Sequence, residues 1–152
     1  MSVLLTKLLP NQVVANWDYI KKTLSVTLPP YVEATEEVLS NLLNASLAEE
    51  LQIWMLHESD FENDTSKIIA IATTTITYDK LSGIRTLLIY SLFGNPESNG
   101  KADWYQGLNG IKKYAKAKKC SSITAYSNIP MAIKLAERLG GDISFRYIKL
   151  EV

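Results

Sequence analysis

The spacing of apolar positions changes several times along the chain. SVLLTKL (2–8) is a short apolar run that predicts a strand. From Pro10 and Asn11 the spacing becomes helical, with Val14, Trp17, Ile20 and Leu24 on one face until TLPPY breaks the pattern. A second helix is predicted over about 32–49. It carries Ala34, Val38, Leu42 and Leu43 on one side, and Glu33, Glu36 and Glu37 early, where the helix dipole favours anions. Then the period shortens. LQIWML (51–56), KIIAIATTTITY (67–78) and IRTLLIYSLF (84–93) read as strands, the second rich in Ile and Thr. The polar segments HESDFENDTS and DKLSG separate them as turns, so the three predict an antiparallel meander. Helical spacing returns over about 102–119, with Trp104, Leu108, Ile111 and Ala115 as the inward stripe. SSITAYS is a strand, and PMAIKLAERLGG is a helix with Pro at its start and a Gly stop. DISFRYIKLEV (142–152) alternates Ile143, Phe145 and Tyr147 against Ser144, Arg146 and Ile148, and predicts a final strand.

The predicted order is β-α-α-β-β-β-α-β-α-β, an α/β chain forming one domain over residues 1–152. The strand IRTLLIYSLF, the helix after it and SSITAYS make a β-α-β unit, expected to be parallel and right-handed. The sheet is therefore mixed, with helices on both faces. At 152 residues about 68–70% of the unfolded chain's surface is buried on folding, enough for a core without a metal or disulfide. The one cysteine, Cys120, excludes an internal disulfide and fits a reducing compartment; with one histidine, His57, a zinc site is not expected. Lys plus Arg balances Asp plus Glu, which argues against nucleic acid as a partner and mildly favours association with itself or another protein. Thr6 and Lys7 interrupt the N-terminal apolar run, and no run reaches the ~20 apolar residues of a membrane span. No membrane association is expected, and the location is expected to be cytoplasmic.

LLIYSLFGNPESNGKADWYQGL (87–108) raises the chemical question. A strand, a Gly-bearing loop and a helix N-terminus form a general anion-binding arrangement, because free N–H groups and the helix dipole converge there. Lys112, Lys113, Lys116, Lys118 and Lys119 crowd the far end of that helix and complement its dipole. Gly107 and Gly110 lie inside it at a cost of ~1 kcal/mol each; close packing against the sheet is the expected reason for them.

Element order over nearly the whole chain, and the words YAKAKKCSSITAYSN and NIPMAIKLAERLGGDISFRYIKLEV, resemble the GNAT superfamily, the Gcn5-related acyl-CoA N-acyltransferases. The resemblance implies acetyl-CoA in a splay between the fourth and fifth strands, against Ser91 and Leu92 on one and Asn128 after the other. It implies a pyrophosphate on the following loop, where the family carries Arg/Gln-x-x-Gly-x-Gly/Ala. It also implies direct attack of an amine on the thioester, a carboxylate or water as base, and a Tyr on the fourth helix as acid.

Aligned from YAKAKKC without gaps, the pyrophosphate pattern falls on Asn99, Gly100, Lys101, Ala102, Asp103 and Trp104. Asn99 then stands for the anchor, Ala102 for the first Gly and Trp104 for the final small residue. A two-residue shift restores the small residues but puts Glu97 at the anchor. The Trp104 indole either fills the cradle or turns inward to start the helix stripe; filling the cradle is the expectation. The family's Tyr falls on Ala136, which has no proton to give, and Tyr126 is the substitute. Glu58, His57 and Glu97 are the candidate bases.

Two functions follow. The first is acetyl-CoA-dependent N-acyl transfer that is weak or lost, with an unknown amine acceptor. The second is a non-catalytic module, without acetyl-CoA, that makes protein contacts in a homo- or hetero-oligomer. Short GNAT-like proteins encoded by phages are similar, with a Trp near the start of this helix, which would place such a protein in a virion.

Overall fold

The computed structural model describes residues 2–96 and 104–152. Among the described residues there are five strands: β1 (Ser2–Lys7), β2 (Leu51–Asp60), β3 (Thr65–Tyr78), β4 (Arg85–Gly94) and β5 (Ser122–Ala125). The helices among these residues are α1 (Pro10–Ala15), α2 (Trp17–Ser25), α3 (Glu36–Leu47), α4 (Trp104–Ala117) and α5 (Pro130–Arg138). The strands lie in the spatial order β1-β2-β3-β4-β5. The first four pair antiparallel, and β4 pairs with β5 in parallel across the α4 crossover.

Helices cover both faces of this mixed sheet. Val13, Ile20, Leu24, Leu39 and Leu42 of α1–α3 pack on Leu51, Ile53 and Ile71. On the other face, Ile111 and Ala115 of α4 pack on Trp54, Ala72 and Leu87. A strand covered on both sides loses its apolar–polar alternation, which is why Leu51 to Trp54 are buried without interruption.

Several elements depart from the expected bounds. The first predicted helix is two, broken at Asn16, whose side chain donates to the Gln12 carbonyl at 2.8 Å. Val13 is buried in place of Val14, which is 59% exposed. The second helix starts later than expected, because Thr35 accepts from the Val38 N–H as its N-cap, and Ala34 stays exposed before it. β2 and β3 run further into HESDFENDTS than a polar turn would, leaving a short turn in which Asp60 accepts from the Glu62 N–H and from Asn63. The expected last strand is not formed: residues 142–152 have no ladder partner and are exposed. Alternation records which side chains face the same way; it does not supply the neighbouring strand that a ladder needs. After α5, Gly140 has φ +87°, and its N–H and that of Gly141 donate to the carbonyls of Glu137 and Ala136. This is the Gly stop expected of LGG.

The two helix glycines differ. A Cβ on Gly110 would stand 2.5 Å from Leu5 Cδ2, so α4 approaches β1 there because that side chain is missing. A Cβ on Gly107 would meet nothing within 4 Å, so close packing does not explain that glycine. Gly107→Ala is expected to stabilise the fold by about 0.5–1 kcal/mol through helix propensity. Gly110→Leu is expected to destabilise it by roughly 1–3 kcal/mol through overpacking. Urea unfolding of both variants checks the pair.

Candidate functional site

The sheet opens between β4 and β5. Their parallel ladder runs from Thr86–Ser122 to Ile89–Ala125 and ends there, while β4 continues to Gly94 against β3. A bulge sits at the same level. Thr74 pairs with Ile89 and Thr73 with Ser91, so Tyr90 is an extra residue in β4. Tyr90 and Tyr126 are therefore the first residues beyond the parting, one on each strand.

A tier of buried polar contacts fixes this level of the sheet. Gln52, Thr74, Ile89 and Ala125 form one row across four strands. Trp54 Nε1 donates to Thr74 Oγ1 at 2.9 Å, and that hydroxyl donates to Gln52 Oε1 at 2.9 Å. One position on, Thr73 and Ser91 share a hydrogen bond of 2.6 Å between buried hydroxyls.

The two sides of the parting differ in chemistry. On the α4–α5 side, a cavity of about 80 Å³ is bordered by Ile89, Leu92, Trp104, Leu108, Leu135 and Leu139. On the α1–α3 side, Tyr90 packs against the main core. Tyr31, from the α2–α3 connection, meets Tyr126 and Tyr147 with ring centroids 5.6 and 5.2 Å away. Burial pushes the Tyr31 hydroxyl above the ordinary phenol value, with Tyr90, Tyr126 and Tyr147 adding to the shift. Burial also raises Tyr90. Both are neutral phenols at physiological pH.

The expected site residues separate into two places. Leu92 lines the apolar cavity, Ser91 is tied to Thr73, and Tyr126 stands at the parting with Asn128 two residues further on, exposed. Asn99, Gly100, Lys101 and Ala102, with Glu97 and Asp103, lie outside the described residues. His57 and Glu58 are elsewhere. His57 Nε2 is 3.1 Å from Thr6 Oγ1 and Nδ1 is 3.4 Å from Ser66 Oγ, so the ring ties β1 to β3 across β2. Glu58 borders a polar depression with Asp60, Thr65, Ser66 and Lys67. Along β2 it is six residues from Gln52, roughly 20 Å from the row that ends at Ala125. The structure thus does not bring Glu58 or His57 to Tyr126.

Trp104 corrects the expectation that it fills the cradle. Its side chain turns inward to the cluster of Leu56, Ile69 and Ala70, and its ring covers Gly94, where an added Cβ would lie 3.3 Å from Cζ2. The indole begins the helix stripe and closes the end of β4. Tyr31, Tyr90 and Tyr147 were not candidates from sequence. The tyrosines are far apart in the chain, and only the topology brings them together.

No protein-family model and no curated protein matches the sequence. Solved structures match its fold over the full length. The aminoglycoside acetyltransferase AAC(6')-Iy, in complex with the bisubstrate analog CoA-S-monomethyl-acetylneamine, superposes with a TM-score of 0.70 at 12% identity, covering 100% of this chain and 99% of that one. A ribosomal-protein-alanine N-acetyltransferase from Brucella melitensis gives 0.69 at 10% identity, covering 99% of each chain. The aminoglycoside 6'-N-acetyltransferase AAC(6')-Ih from Acinetobacter baumannii gives 0.70 at 12%, covering 99% of this chain and 98% of that one. The chain has the GNAT acetyltransferase fold. No helix among the described residues is long and apolar enough to cross a membrane.

Ser91→Ala is expected to cost about 1–3 kcal/mol, because the buried Thr73 hydroxyl loses its partner. Adding Thr73→Val is expected to recover most of that loss. Denaturant midpoints of the single and double variants, compared as a cycle, check it.

Proposed function

We propose that this protein binds an acyl-CoA thioester in the cleft between β4 and β5 and transfers the acyl group, slowly, to an amine. One observation carries the reading: β4 and β5 part at Ile89 and Ala125, immediately beside the Tyr90 bulge. Beyond that point residues 90–94 of β4 continue as a strand without β5 beside them. An extended backbone edge can pair with the amides of a pantetheine arm as it would with a strand. Leu92 and the apolar cavity beside it suit the uncharged part of such a ligand. One of the neighbouring folds holds a CoA-derived analog, which supports a CoA thioester as the ligand.

In the transfer, the amine nitrogen bonds to the acyl carbon and the carbon–sulfur bond breaks. The thiolate gains a proton and the ammonium loses one. In this reading Tyr126, at the parting, protonates the thiolate. Of the candidate bases among the described residues, Glu58 and His57 stand too far along β2 to take the amine proton directly, and in this reading water takes it. Transfer then depends on the fraction of amine already neutral, and its rate rises with pH towards the pKa of the amine.

Acetyl-CoA titrated into the labelled protein is expected to shift the backbone amides of residues 90–92 and 126–128. Tyr126→Phe is expected to slow thiol release without weakening acetyl-CoA binding. An unchanged amide spectrum at millimolar acetyl-CoA overturns the reading.

A second reading rests on the exposed apolar side chains of the C-terminal segment: Phe145 is 80% exposed and Leu150 83%. A non-catalytic protein that uses the fold for protein contacts would present such a surface. Concentration-dependent sedimentation together with no heat from acetyl-CoA in calorimetry would favour it over acyl transfer.

A further inference from the structure

Tyr31, Tyr126 and Tyr147 come from three separate parts of the chain and meet on the α1–α3 side of the parting. Tyr31 and Tyr147 stack, with centroids 5.2 Å apart and planes at 27°. Tyr126 meets both edge-on, at 5.6 and 5.4 Å. The cluster is not sealed: Tyr126 is 44% exposed and Tyr147 55% exposed. Among the described residues, nothing hydrogen-bonds to their hydroxyls or to that of Tyr31. The titratable groups that act on Tyr31 are Tyr90, Tyr126 and Tyr147, all phenols.

We infer that this tyrosine cluster is the acceptor site of the acyl transfer proposed above, on which the inference rests, and that it takes an arylalkylamine, a primary amine carried on a flat apolar body. Aromatic rings offer stacking area to such a body and a negative face to its ammonium. They do not offer the carboxylates that a polycation needs to offset the loss of its water. The difference also serves the chemistry. A carboxylate beside the amine would hold it protonated, whereas a ring face attracts the ammonium only weakly. An amine resting on these rings meets no carboxylate that would hold its proton, and only the neutral amine attacks a thioester. Tyr126 belongs to both the cluster and the parting, so an amine on these rings lies next to the opening through which the thioester is reached.

The test follows the ring signals of the tyrosines in the intact protein during titration with 2-phenylethylamine. 2-Phenylethanol and neamine are the comparison ligands, and acetyl-CoA binding is measured separately by calorimetry. Saturable shifts of the Tyr31, Tyr126 and Tyr147 rings are expected with phenylethylamine, with weaker binding of the alcohol and of neamine. Tyr147→Ala is expected to weaken phenylethylamine roughly three- to thirtyfold, the loss of one ring face. Tyr147→Phe keeps the ring and is expected to bind as the unchanged protein does, and neither variant alters acetyl-CoA affinity. Two results overturn the inference while leaving the acyl-transfer reading intact: acetyl-CoA binding without any ring shift, or neamine bound as tightly as phenylethylamine. Absence of acetyl-CoA binding to the unchanged protein overturns both.

Discussion

β4 pairs with β3 through its whole length but with β5 only through Thr86–Ile89, and the site depends on that mismatch. A parallel strand held to the end of β4 would seal the sheet and separate its two faces. β5 instead stops at Ala125, and the extra residue Tyr90 interrupts the register of β4 at the same level. The opening is fixed from behind. Thr74, which faces the last paired position of β4, is held by Trp54 and Gln52 in a chain of buried hydrogen bonds. The Trp54 ring in turn packs edge-on against Tyr114 of α4 at 5.1 Å. Moving the row would leave buried hydroxyl and amide groups without partners, which costs more than the bonds themselves contribute. The parting is thus a built feature rather than a frayed edge.

The same opening explains why the two helix layers differ. α1–α3 bury aliphatic side chains on one face and leave tyrosines at the rim, while α4 and α5 border an apolar cavity on the other. A reaction that joins a thioester to an amine needs both partners at one carbon but little else in common between them. A gap through a sheet meets that need, because each face can be built for one partner. Trp104 belongs to this division. By packing on Leu56, Ile69 and Ala70 it anchors the start of α4 to β2 and β3, away from β5.

Much of the framework was legible because period and burial agree. β2, β3, β4 and α4 are long and regular, and their apolar spacing decides each one. Legibility failed where two spacings were equally good. Val13 and Val14 both extend the Trp17, Ile20 and Leu24 stripe, and the break at Asn16, made by a side chain bonding back to Gln12, selects Val13. It failed again at residues 142–152, where alternation was present but no neighbouring strand was. The site was legible only by position. Resemblance located the parting, with Leu92 and Tyr126 beside it, yet the local appearance of His57 and Glu58 as loop residues was misleading. Both lie within β2, at and just beyond a register shift between Leu56 and His57 that no residue type announces. The tyrosine cluster joins positions 31, 126 and 147, and nothing in the neighbourhood of any one of them hints at the other two.

Electrostatics brings the two proposals together. The chain's net charge is zero, so no overall field draws in a charged acceptor. Five of its lysines gather at the end of α4, where Lys118 lies over the Tyr114 ring at 5.7 Å. The titratable groups that act on Tyr31 are the phenols of Tyr90, Tyr126 and Tyr147. Recognition there must come from surface contact and ring quadrupoles, which are weak individually and favour flat apolar ligands over highly charged ones. In the proposed transfer, weak recognition of the ammonium form also suits proton loss to water, since little energy is lost when the proton leaves. A site with a strong carboxylate would bind a cation better and release its proton less easily. The separation of Glu58 and His57 from the parting is therefore consistent with a slow transferase whose acceptor carries its own apolar handle.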